Sequence, residues 1–361
     1  MARTVRVLVV DDSAFMRKVL RELLESDPLI QVVGTARDGQ DGVRQALALQ
    51  PDVVTMDIEM PRLDGFGALR ELMSARPTPV VMVSSHTQEG AEATIKALTL
   101  GAVDFVAKPS GSISLNMHVT RDELIAKVKG AAGATPRYRR VLAELPPLRR
   151  EIGRLPPFAT VSAAQAELPL QRIVAIGCST GGPGALHQII PRLPADLPAA
   201  YLVVQHMPPG FTKSLANRLN EISAVRVKEA EEGDPLRAGQ VLVAPGGFHM
   251  IVGADGRIQL NQEPPQHGVR PAVDRLFDSL APLYGERLIG VILTGMGYDG
   301  AKGMGQMKRR GARTIAEDAS TCIVYGMPKV VIELGLADQV LPVHEIPDAV
   351  IRLVREGVKN G

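Results

Sequence analysis

The chain has 361 residues, 41 of them basic and 39 acidic, for a formal net charge of +2, and at roughly 150 residues per domain it predicts two or three domains. So balanced a charge excludes a strong field that would draw the protein onto nucleic acid or anionic lipid. Cys178 and Cys322 lie far apart and form no CxxC, which argues against a disulfide framework and a zinc ribbon. The beginning lacks the apolar segment of a signal peptide, and no apolar run approaches the roughly 18 residues of a membrane span. A cytoplasmic chain without membrane insertion is the expectation.

In chain order, residues 5–10, 32–34, 53–56, 80–83 and 104–107 read as short strands, with amphipathic helical stretches at 15–26, 39–49, 65–75 and 91–100. Strands alternating with helices predict a parallel sheet covered on both faces, over a first module of residues 1–128. Residues 129–168 break the pattern with Pro136, Pro146, Pro147, Pro156 and Pro157 among basic residues such as Arg137, Arg139 and Arg140. They read as a linker partly extended by its prolines, and its basic face reads as solvated rather than as a nucleic-acid tract. From residue 169 the alternation resumes, with strands at 172–176, 200–205, 225–228, 240–244, 288–293 and 313–316. The expectation is a second α/β module over 169–361, again with a mostly parallel sheet.

The first module carries carboxylates where apolar strands end. Val7-Leu8-Val9-Val10-Asp11-Asp12 places two at the end of one strand, and Val53-Val54-Thr55-Met56-Asp57 places a third at the end of another. In an open parallel sheet such ends face one crevice. Three carboxylates held together there repel one another unless a cation sits among them, and oxygen-only ligands favour Mg²⁺. Asp57 is then a candidate nucleophile toward a phosphoryl group. Ser84 can donate a hydrogen bond to that group, and Lys108 supplies a cation for the charge that develops. Strand-end aspartates also commonly cap helices, so each residue alone is equivocal. Together they resemble the receiver domain of two-component response regulators, with its flavodoxin-like five-stranded sheet. That resemblance implies phosphorylation of Asp57 by a partner histidine kinase, with Ser84 and Phe105 shifting in response.

In the second module, Ile176-Gly177-Cys178-Ser179-Thr180-Gly181-Gly182 runs from a strand into a Gly-rich turn, and Gly177-x-Ser179-x-Gly181 fits a nucleophile elbow. Such a turn can also bind phosphate, but the spacing departs from GxGxxG. His206 follows a second apolar strand as a candidate base, and Asp299 in Thr294-Gly295-Met296-Gly297-Tyr298-Asp299-Gly300 is a candidate orienting carboxylate. The Met296 N–H is a candidate oxyanion donor. Cys178 is a second candidate nucleophile, which strand alternation turns away from the site. His249 and His267 lack metal-ligand spacing. The chain order Ser179, His206, Asp299 differs from that of α/β-hydrolases, where His344 would have to serve as base.

Residues 177–182, 205–208, 244–249, 270–274 and 294–300, behind a receiver, resemble the CheB family of chemotaxis protein-glutamate methylesterases. Cys178 stands where that family commonly has alanine. The resemblance implies that Ser179, His206 and Asp299 hydrolyse glutamate γ-methyl esters of methyl-accepting chemoreceptors and release methanol, with glutamine deamidation as a companion activity. Thr180 would line the site as a second possible oxyanion donor, and the esterase would need no cofactor. It also implies that the unphosphorylated receiver restrains the hydrolase. The competing reading is a response regulator with a DNA-binding or non-catalytic adaptor output, against which stand the intact triad residues and the low charge of 169–361.

Overall fold

The structure, a computed structural model, describes residues 3–85, 87–108, 120–133 and 169–358. The chain divides into two compact units, Met1–Ala143 and Glu144–Gly361. Of the segment read as a linker, residues 129–133 belong to a helix over 120–133, while 134–168, with the prolines and arginines named above, lie outside the described residues.

In the first unit five parallel strands, β1 (Val5–Val10), β2 (Ile30–Ala36), β3 (Val53–Asp57), β4 (Val80–Ser84) and β5 (Asp104–Ala107), are ordered β2-β1-β3-β4-β5. Four helices, α1 (Ala14–Glu25), α2 (Gly39–Leu49), α3 (Gly65–Ala75) and α4 (Gln88–Thr99), alternate with them, and α5 is the helix over 120–133. Val7 to Val10 are fully buried, as are Val53, Val54 and Met56. Central strands covered on both faces have no solvent side to alternate toward, which is why they read as unbroken apolar runs. Lys127 ties α5 back to β5, donating to the Phe105 carbonyl at 2.7 Å and pairing with Asp104 at 3.2 Å.

The second unit is built on seven parallel strands in the order β14-β13-β12-β6-β7-β9-β8. In chain order these are β6 (Arg172–Cys178), β7 (Ala199–Gln205), β8 (Arg226–Glu229), β9 (Gln240–Val243), β12 (Leu288–Ile292), β13 (Arg313–Glu317) and β14 (Gln339–Leu341). A separate antiparallel hairpin joins β10 (His249–Val252) to β11 (Ile258–Asn261). The helices are α6 (Gly182–Ile189), α7 (Phe211–Ile222), α8 (Val273–Tyr284), α9 (Ala301–Arg309), α10 (Met327–Glu333) and α11 (Ile346–Val358). One core joins the sheet to α8, α9 and α10 through Val273, Leu276, Phe277, Leu280, Met304 and Met327.

The expected strands all form, each with ends within two residues of its expected limits. Three strands were not anticipated. The hairpin β10–β11 and the edge strand β14 are each only three or four residues long, too short for a periodic pattern to declare itself.

Candidate functional site

In the first unit the sheet order reverses between β1 and β3, because the chain proceeds from β1 to β2 on one side and from β3 to β4 on the other. Crevices in open parallel sheets lie at such points, beyond the strand C-termini. Asp11 and Asp12 follow β1 and Asp57 closes β3, and one oxygen from each lies within 4.8 Å of the other two. None of the three is spent as a helix cap where that was an alternative. Helix α1 is capped by Ser13, which accepts from the Met16 N–H at 3.3 Å, and α3 by Asp64, which accepts from Gly67 at 2.7 Å.

Lys108, one residue beyond β5, donates from Nζ to Asp57 Oδ2 at 2.7 Å and stands 3.5 Å from Asp11 Oδ2. Burial raises the pKa of both Asp11 and Asp57, and the Asp11 charge raises Asp57 further, against the opposing pull of Lys108. Burial also works against the Lys108 cation, but its hydrogen bond to Asp57 and the charges of both aspartates outweigh it and leave its pKa raised. One lysine therefore undercompensates three carboxylates, and buried Asp11 Oδ2 accepts no hydrogen bond. An all-oxygen donor set with an unsatisfied buried oxygen suits one hard divalent cation. Ser84 closes β4, and its hydroxyl donates to the Gly90 carbonyl at 3.0 Å. Phe105 is buried, with the Lys127 ammonium 4.8 Å from its ring centre.

In the second unit the order reverses at β6, which has β7 on one side and β12 on the other. Cys178 pairs with Gln205 across β6 and β7, so Ser179 and His206 are the next residues at neighbouring strand ends. The His206 N–H donates to the Cys178 carbonyl at 3.2 Å, and the Gln205 side-chain amide donates to the carbonyls of Ser179 at 3.0 Å and His206 at 3.2 Å. Gly181 carries φ of +82°, and a Cβ there would lie 2.7 Å from the Ile323 Cβ. The turn that raises Ser179 thus requires glycine for both conformation and space. Gly181→Ala is expected to lower thermal stability by at least about 1 kcal/mol and to slow turnover, as measured by thermal unfolding and steady-state rates.

Asp299 is drawn to His206 by the loop after β12. Its Oδ2 accepts from His206 Nε2 at 2.9 Å and from the Val273 N–H at 2.7 Å, and its Oδ1 accepts from the Asp274 N–H at 2.9 Å. The two amides belong to the first turn of α8, whose N-cap, Ala272, offers no side-chain acceptor. Asp299 therefore takes the place of a cap, where helix N-termini favour negative charge. Burial would raise its pKa, but the His206 hydrogen bond and charge and the two α8 amides outweigh that and hold it below the ordinary value.

With Nε2 engaged, His206 has Nδ1 as its remaining nitrogen. The Ser179 hydroxyl makes no hydrogen bond to it among the described residues. Thr180 is buried, and its carbonyl accepts from the Thr294 hydroxyl at 3.0 Å. Met296 is exposed, and its N–H has no hydrogen-bond partner among the described residues.

The other candidate residues lie elsewhere in the unit. Cys178 is fully buried, its thiol reaches the Val204 carbonyl at 3.7 Å, and burial pushes its pKa up. His344 is exposed, with Nε2 3.9 Å from Glu345, while the Asp299 carboxylate is occupied by His206. His249 is buried in the frame, its Nδ1 accepting from the Ala272 N–H and its Nε2 facing the Pro264 carbonyl, each at 3.2 Å.

The first turn of α8 was missed by sequence reasoning as a support for Asp299. So was His267, which lies 2.9 Å from Asp274 Oδ2 and 4.0 Å from Asp299 Oδ1. The positions 270–274 were conspicuous as a family-like stretch, but nothing in their composition disclosed which carboxylate they hold.

Fold and site together define a two-module class, a receiver unit ahead of an α/β unit that gathers a serine, a histidine and an aspartate at one sheet end. The family model described as response regulator receiver domain matches residues 7–120, and that described as CheB methylesterase matches residues 174–350. A protein of Symbiobacterium thermophilum named protein-glutamate methylesterase/protein-glutamine glutaminase is 72% identical over 357 residues, spanning 98% of each chain. Proteins of the same name are 50% identical in Pyrococcus abyssi, over 99% of this chain and 96% of the relative, and 50% identical in Thermotoga maritima, over 98% and 99%. The chain belongs to the CheB methylesterase family. A DNA-binding or adaptor output is not favoured. Among the described residues no helix is long and apolar enough to cross a membrane.

Proposed function

We propose that the chain is a phosphorylation-regulated protein-glutamate methylesterase, and protein-glutamine glutaminase, acting on methyl-accepting chemoreceptors. The observation that carries this reading is the 2.9 Å hydrogen bond between His206 and Asp299, one strand away from a serine raised on a glycine turn. The Ser179 oxygen attacks the γ-carbonyl carbon of a glutamate methyl ester while His206 takes its proton on Nδ1. Asp299 keeps the other proton on Nε2 and stabilises the imidazolium that forms. The negative oxygen of the tetrahedral intermediate is received by the Met296 N–H, with Thr180 lining the site, a kind of contact worth about 3 kcal/mol. His206 then protonates the departing methoxide, and methanol leaves. Water attacks the acyl-enzyme with His206 again as base, which releases glutamate and restores the serine. A glutamine side chain follows the same course with ammonia as the leaving group.

In the receiver, Asp57 takes a phosphoryl group from a partner histidine kinase, breaking the phosphorus–nitrogen bond as the acyl phosphate forms. Asp11, Asp12 and Asp57 would hold Mg²⁺, which would supply charge neutralisation for the phosphoryl oxygens. Lys108 exchanges its bond to the Asp57 carboxylate for one to the phosphoryl group. Ser84 leaves the Gly90 carbonyl to donate to the same group, and Phe105 moves with it.

Methanol release by the full chain, with and without acetyl phosphate and Mg²⁺, tests both halves. Phosphodonor is expected to accelerate release by the wild type and to have no effect on Asp57→Asn. Equal rates with and without phosphodonor in the wild type would refute the regulatory half. Absence of methanol release under every condition would refute the enzymatic half.

A further inference from the structure

We propose that Glu317 is a positioning residue for the nucleophile turn, acting through Thr294. This rests on the reading of Ser179 as the nucleophile, and it assigns a task to a buried acid outside the Ser179, His206 and Asp299 set. Glu317 is the last residue of β13 and is only 1% exposed. Its Oε2 accepts from the Thr294 N–H at 2.7 Å, and its Oε1 accepts from the Thr321 hydroxyl at 3.0 Å.

Thr294 passes that anchorage to both sides of the serine. Its carbonyl accepts from the Ser179 N–H at 3.1 Å. Its hydroxyl lies 3.0 Å from the Thr180 carbonyl and 3.2 Å from that of Val324, and accepts from the Val324 N–H at 3.0 Å. The next residue, Gly295, sits so close that a Cβ on it would lie 2.9 Å from the Ser179 Cβ. Any displacement of Thr294 therefore moves the backbone that aims the Ser179 hydroxyl.

Two donors converging on two oxygens is the pattern of an ionised carboxylate. Protonation would convert one oxygen into a donor and leave the Thr294 N–H or the Thr321 hydroxyl facing it without an acceptor. Burial pushes Glu317 up to about 7, against the hydrogen bonds from Thr294 and Thr321. The titratable groups facing it are Asp318 and Cys322 on the segment that follows and Cys178 across the sheet on β6. Among the described residues no lysine, arginine or histidine forms an ion pair with it. The turn is thus held by both oxygens above neutral pH and loses one of its anchors below it.

The test measures methanol release and labelling of Ser179 by a fluorophosphonate on the full chain between pH 5.5 and 9, for the wild type, Glu317→Gln and Ser179→Ala. In the wild type the acid limb is expected to be steeper than one deprotonation allows, because Glu317 adds one, and in Glu317→Gln to require one fewer. Glu317→Gln is expected to lose about tenfold in kcat and labelling rate with KM within about twofold, as a misaimed reacting group does. A single deprotonation in the wild-type labelling profile overturns the proposal, whether or not the variant folds. An unchanged kcat and acid limb in a folded Glu317→Gln also overturns it. Ser179→Ala separates the two levels, because activity and labelling that survive in it remove the nucleophile assignment itself.

Discussion

Replacing Ser179 with alanine is expected to reduce methyl-ester hydrolysis by about 10⁴- to 10⁶-fold while phosphorylation of Asp57 continues. Without Oγ no acyl-enzyme can form, and the residual rate is what oxyanion donors and binding supply to direct attack by water. Cys178→Ala is the matched control. Its sulfur lies in the core against the Val204 carbonyl, and burial raises its pKa, so that almost none is thiolate at neutral pH. That variant is expected to retain turnover and to lose a little stability from the small cavity left behind. Methanol release from methylated receptor, with circular dichroism to establish folding, decides the matter. The reverse pattern, loss with Cys178→Ala and retention with Ser179→Ala, would exchange the nucleophile.

Asp299→Asn is expected to lower kcat by about 10³- to 10⁴-fold, because an amide in place of the carboxylate no longer fixes the productive histidine tautomer or offsets the imidazolium charge. It also disturbs α8. The carboxylate accepts three N–H groups, from His206, Val273 and Asp274, and an asparagine has only one acceptor oxygen and turns N–H groups toward at least one of those donors. A buried donor left unpaired costs about 1–3 kcal/mol, so the melting temperature is expected to fall as well.

The two effects separate by pH. Asp299 is held below the ordinary carboxylate value of 3.8 in the folded chain. Its stabilising contribution is present above the unfolded value and is lost as pH falls through the lower folded one. Thermal unfolding should therefore show the largest difference between wild type and Asp299→Asn near neutral pH, narrowing in acid. A variant as stable as wild type at pH 7 would mean that the α8 amides find another acceptor.

How much of the site was legible depended on the range of the interactions that make it. Asp11, Asp12 and Asp57 stood out because a buried parallel strand is a continuous apolar run, so a carboxylate at its end is abrupt. Ser179 and His206 stood out for the same reason, at the ends of β6 and β7, with glycines after the serine that only a tight turn requires. Asp299 was legible as a candidate partner of His206 from its loop, but the backbone amides that hold it were not. The amides that hold it come from residues 273 and 274, in a stretch that stood out only for its resemblance to the family. Ser84 was legible as a strand-end hydroxyl, but its present acceptor, the Gly90 carbonyl, was not. Glu317 closes a strand much as Asp57 does, yet one faces a crevice and the other is sealed beneath a loop. Position along a strand does not distinguish them.

By itself, the order of residues determined two α/β modules, the strands that carry the acids, the serine and the histidine, and the turn chemistry that presents them, because periodicity and glycine requirements act over a few neighbouring residues. Only the tertiary structure decided that β6 lies between β7 and β12, that the first turn of α8 meets Asp299, and that Glu317 anchors Thr294. Those outcomes come from strand order and from long-range hydrogen bonds whose free energy is realised only when the whole sheet has assembled.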